Sequence, residues 1–202
     1  MLTLQFTPNV AHLSHAIALI DEHLNIMVAF VEHLNLVLFA ELLNIKALSA
    51  EHLTMIELSV EHLTMMELSA GHLNTMVHSA AHIKMMVLSA PNPNMTVLSA
   101  EHLNMMVLSA EHLNIIVPSA EHPNMIVLSA EHLNMVVFSA KHLNMFVLSA
   151  VHLNMIVLSA KHLNVIMPSA EYLNMMVLSA GLLNIVVPSA EYRNMCCSLL
   201  NT

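Results

Sequence analysis

The chain has 202 residues, 57% hydrophobic and only 9% charged, with 19 Met, two Gly and no Trp. An average globular chain carries roughly 25% charged residues, so disorder by self-repulsion is disfavoured and association is favoured. A net charge of −9 with five Lys and Arg leaves no basic patch for phosphates, which argues against a nucleic-acid partner.

In chain order, residues 1–10 form a non-repetitive leader. Residues 11–40 carry a degenerate repeat whose spacing wanders: His12 to His23 is eleven residues, His23 to His33 ten, His33 to Leu42 nine. From 41 to 197 a decapeptide recurs in fixed register, typified by Glu101–Ala110, E-H-L-N-M-M-V-L-S-A; residues 198–202 are a tail. Counting Glu101 as position one gives every copy a common numbering. No linker or charge run divides the chain, so a single domain is expected. The N-terminus lacks the basic region of a signal peptide and carries His12 and His15. Cys196 and Cys197 are adjacent and cannot build a disulfide framework, which fits a reducing compartment. These features leave the location open and favour the cytoplasm. The membrane alternative rests on Leu143–Ala160 and Tyr172–Ala190, which lack Lys, Arg, Asp and Glu and are about long enough to span.

The period of ten decides the architecture. As a helix, Leu103, Met106, Val107 and Ala110 would form one apolar stripe, and Ser before Ala-Glu-His would cap it. Ten residues at about 100° each turn that stripe by about −80° per copy, so only short stacked helices could use it. As a strand, an even period keeps each position on one face. Coils of two decapeptides would then place Asn on Asn and Leu on Leu, with Ser-Ala-Glu-His as a polar corner. Pro118, Pro168 and Pro188 all stand at position eight, which should therefore end an element. The expected fold is a short-period β-solenoid, with stacked short α-helices as the alternative. A coil of twenty is similar in length to that of pentapeptide-repeat proteins. Those proteins place a small residue two places before the central Leu; here Glu101 precedes Leu103 and Met106 precedes Leu108, so the chain is not assigned to them.

Differences between copies follow the genetic code better than packing. Position one exchanges Glu for Gly71, Ala81, Lys141, Val151 and Lys161; position two exchanges His for Asn92, Tyr172, Leu182 and Tyr192. Position three takes Pro93, Pro123 and Arg193 in place of Leu. Most are single-base changes, whereas Leu to Pro or Arg in a packed core should cost about 2–5 kcal/mol. A thirty-base tandem repeat, drifting under little constraint from the protein, accounts for them.

The chemistry suggested by the residues is sparse. Sixteen His in a regular frame invite a metal reading. Rows of His at a corner are solvated side chains in the simpler reading, and they should repel below about pH 6. The densest candidate metal cluster is His12, His15, Asp21 and His23, beside Glu22, but no HExxH or CxxC accompanies it. Glu-His neighbours point to different sides of any element, and Ser at position nine lacks a nucleophile elbow. No catalytic residue, no resident metal and no cofactor is expected. The chain reads as a non-enzymatic repeat protein prone to self-association, with an interaction scaffold as the rival.

Overall fold

The computed structural model describes residues 2–6 and 16–199. Its elements are β1 Leu2–Phe6, β2 Ala16–Ile20, β3 His23–Phe39, β4 Leu42–Glu57, β5 Val60–Ala90, β6 Asn92–Ile166, β7 Ser169–Val186 and β8 Ser189–Leu199. All pairing is parallel, in the order β1-β3-β4-β5-β6-β7-β8, with β2 also on β3. Partners lie twenty residues apart: Leu43 with Leu63, Asn74 with Asn94, Ala150 with Ala170. A strand of 75 residues such as β6 winds round and pairs with itself. The chain is thus a β-solenoid of about nine coils, each made of two decapeptides. The helical alternative does not form: no helix occurs among the described residues.

Burial shows how ten residues close half a coil. Leu103, Met105, Val107 and Ala110 face inward and are nearly or fully sealed. Inward positions alternate from three to seven, as a strand requires. Two outward residues then stand on each side of Ala110, so the chain bends around that small side chain. A coil therefore has two flat faces and two corners. Face A is built by the decapeptides beginning at 51, 71, 91 and onward by twenties; face B is built by those beginning at 61, 81, 101 and onward. No described residue has a positive φ, so these bends do not depend on Gly. That explains how two Gly suffice for the whole chain.

The ladder supplies the backbone hydrogen bonds, and Leu, Met and Val fill the space between faces. Each large side chain fully buried in this way contributes about 1.5–3 kcal/mol. The nine-residue step in the sequence becomes a shortened coil: His23 pairs with Leu42 and His33 with His52, nineteen residues on. The missing residue is taken from the corner after Phe39, where β3 ends. Part of the leader joins the solenoid, since Leu2–Phe6 pairs with Leu24–Val28. Proline at position eight has two outcomes. Pro168 and Pro188 fall in the bends that end β6 and β7, as expected. Pro118 lies inside the unbroken β6, which corrects that expectation there. At the same position Leu58 donates its N–H to Leu38 O at 3.1 Å, so Pro118 gives up one such bond.

Candidate functional site

Three features of the described structure carry chemistry: rings on the corners, amides on the faces, and two acids in the core. Position two stands outward at a corner, and successive coils bring its rings into stacks. Beside face B, His62, His82, His102, His122, His142 and His162 form one continuous row with centroids 4.5–5.0 Å apart. At the other corner, His33, His52 and His72 stack, and Asn92 then interrupts. The row resumes as His112, His132, His152, Tyr172 and Tyr192. Tyr172 and Tyr192 continue the stack at 4.7 and 4.9 Å, so these exchanges keep the packing that His provides. Burial first, and then His162 and His122 alongside, hold the His142 imidazole below the ordinary value.

Position four makes amide ladders on both faces. On face A, Asn94 donates from Nδ2 to Asn74 Oδ1 at 3.0 Å, and Asn114 donates to Asn94 at 2.7 Å. Asn134 and Asn154 extend the series at 2.9 Å each. On face B, Asn124 donates to Asn104 at 3.1 Å and Asn144 to Asn124 at 2.8 Å. At position one, Lys141 Nζ donates to Glu121, and this bond, more than the charge itself, lowers the Glu121 carboxyl below its usual range.

The third feature is two carboxyls inside the core. Glu57 and Glu67 occupy position seven, where Val usually stands, and both are completely buried. Glu57 lies in the ladder between Leu38 and Val77, and Glu67 pairs with Ala47. None of their four carboxyl oxygens has a hydrogen-bond partner; Thr75 Oγ1 is also buried without one. Burial alone pushes Glu57 up to about 8 and Glu67 to about 7. At pH 7 Glu57 is therefore mostly neutral, while Glu67 stands near its midpoint.

The expected metal candidates are only partly described. His12 and His15 lie outside the described residues. Asp21 Oδ1 accepts a hydrogen bond from the His23 backbone N–H at 3.2 Å, a local turn interaction. Among the described residues no three His, Cys, Asp or Glu converge on a point where an ion could sit. Parallel rings nearly 5 Å apart account for this in the rows, because two nitrogens on one Zn must come much closer. Cys196 and Cys197 are exposed and unbridged. Burial, and secondly Cys196, push the Cys197 thiol up, so it is held as the less reactive protonated form. Leu143–Ala160 and Tyr172–Ala190 are strands of the solenoid, and no described helix is long and apolar enough to cross a membrane.

The buried acids carried a signal that the helical stripe obscured. In strand periodicity, positions three, five and seven share a face, so Glu57 and Glu67 had to turn inward with Leu53 and Leu63. The fold defines a class, the β-solenoid repeat proteins. Beyond that class, no family model, curated protein or solved structure matches the chain.

Proposed function

We propose that this chain is a non-enzymatic repeat protein, the translation of a drifting thirty-base tandem repeat, with no evolved reactive centre. The observation that carries this reading is the mismatch between variation and burial. Position nine is exposed or half-buried, yet is Ser in every copy from Ser49 to Ser189. Position seven is sealed, yet it accepts Ala47, Glu57, Glu67 and Met167 among its Val residues. Selection for packing acts in the opposite sense, holding the core and releasing the surface.

Three extreme substitutions meet three different fates. Glu57 is buried without a partner, Pro123 is buried within β6, and Arg193 is exposed, its Nη2 donating to Pro188 O at 3.3 Å. Only Arg193 gains a compensating bond, and it does so outside the core. The coding DNA tests the reading. A repeat drifting freely shows replacement and silent differences between copies in near-neutral proportion; a strong excess of silent ones overturns it.

One observation favours a second reading, an interaction scaffold. Outward His and Asn side chains are ordered into rows along the solenoid, a regular surface for a protein partner. Capture of one defined partner, weakening stepwise as repeats are deleted, supports it. Capture that ignores repeat number removes it.

A further inference from the structure

The two flat faces differ in charge. On face A the outward rows are positions four, six and eight, from Thr54 to Leu178. Across those seven decapeptides they contain no Lys, Arg, Asp or Glu. Position six forms a ridge along the axis from Ile56 to Met176, apolar except at Thr96, with Met76 44%, Ile116 41% and Met176 37% exposed. Beside it the Asn ladder forms a second ridge, and a groove of about 230 Å³ lies between them near Thr54, Asn74 and Met76. Face B carries the same rows but is interrupted by Lys84, and Lys46 stands on the decapeptide that precedes it; both are exposed.

We propose that face A is the docking face for face A of a second copy of this chain, giving a side-by-side dimer. Period selects the occupant. Ridges that recur every ~4.8 Å along the axis, and about 7 Å apart across it, interdigitate over their whole length only with a surface of the same spacing. A second copy has that spacing by construction. Each amide from Asn94 to Asn154 already gives one of its two N–H groups to the ladder, so covering the Asn rows leaves one N–H per residue to be met by the facing copy's amides.

Seven coils at ~4.8 Å by five residues at ~3.3 Å give roughly 550 Å² per copy, or about 1,100 Å² in the pair. Stable interfaces begin at about 1,200 Å², so the dimer stands at the small, reversible end of that range. On face B, Lys84 blunts the same contact on the coils around it, which favours face A as the docking side. The inference is independent of how the sequence arose, because it rests on face charge and spacing alone.

Sedimentation velocity over roughly 1–100 µM on the whole chain tests it. The expected result is a monomer–dimer equilibrium, weakened at least tenfold by Ile116→Lys or, as a second variant, Met76→Lys. The face B control Ile126→Lys, at a site 37% exposed, leaves it unchanged. Circular dichroism confirms that each variant keeps its strands. A monomer throughout the range overturns the proposal, as does equal weakening by Ile126→Lys. Growth beyond the dimer that ignores all three variants points to end-to-end stacking and also overturns it. So does a monomer that binds phosphatidylcholine vesicles through Ile116, which makes face A a lipid contact.

Discussion

The coils of β6 and those of β4 and β5 share one architecture but not one interior. In β6, from Asn92 to Ile166, every inward position is Leu, Met, Ile, Val, Ala or Pro, and the ladder runs unbroken for 75 residues. In β4 and β5 the ladder breaks at Leu58–Ser59, and the core holds Glu57, Glu67 and Thr75, all without partners. The difference teaches where a solenoid's tolerance comes from. Each coil touches only its neighbours, so a costly substitution stays local and the remaining coils stack as before.

The largest expected effect comes from making the two regions alike. Glu57→Val with Glu67→Val should raise stability by several kcal/mol at pH 8. The sign follows from the raised carboxyls. Unfolded Glu ionises near pH 4.5 while buried Glu57 stays protonated to about 8, so native stability declines across that window as pH rises. The gain should therefore shrink toward pH 4.5, leaving about 1–3 kcal/mol per site for relieving an unpaired polar group. Thermal melts of the double variant and the parent at pH 4.5, 6 and 8 measure it. A pH-independent gain means the acids have found partners.

Breaking the well-packed region comes next. Leu133→Ala in β6 should cost about 2–5 kcal/mol, since Leu133 is sealed and both neighbouring coils lose contacts. Hydrogen exchange should show the loss centred on coils near residue 133, with those around Glu57 little changed; uniform loss would mean the solenoid unfolds as one unit.

Acid should act on the other margin of the molecule. The His142 imidazole is held below its ordinary value, so the unfolded chain binds the proton more readily as pH falls below 6.5. The contribution of His142 is full above that pH and declines beneath it, so the row should loosen first around that ring. Removing that ring by His142→Asn should flatten the acid limb between pH 6.5 and 5. An unchanged limb would show that protonated rings find room to separate. The smallest effect belongs to the Lys141–Glu121 pair, which is half exposed. Lys141→Ala should leave the melting temperature nearly unchanged, and the remaining difference should fade in high salt.

Much of this was legible in the repeat itself. An even period made Asn fall on Asn and His on His, and the pairings His52–His72 and Asn74–Asn94 show it. The nine-residue step at Leu42 became a nineteen-residue coil. Less legible was the fate of single substitutions. Tyr172 and Tyr192 read as drift but continue a ring stack, because a phenol and an imidazole offer similar flat faces at that spacing. Pro118 read as a terminator but lies inside a ladder that continues on both sides of the one N–H it lacks. The metal candidates were chosen by density in sequence, which says nothing about whether Asp21 and His23 point together.

The sequence by itself determined the period, the coil and the ladders, since parity of spacing assigns each side chain a face before any folding is considered. Only the tertiary structure decided that Ala110 and its equivalents sit inside the corners. It also decided that Glu57 and Glu67 lack partners and that one face runs free of charge. Those facts depend on which decapeptides lie side by side, and adjacency twenty residues away is set by how the coil closes around its core.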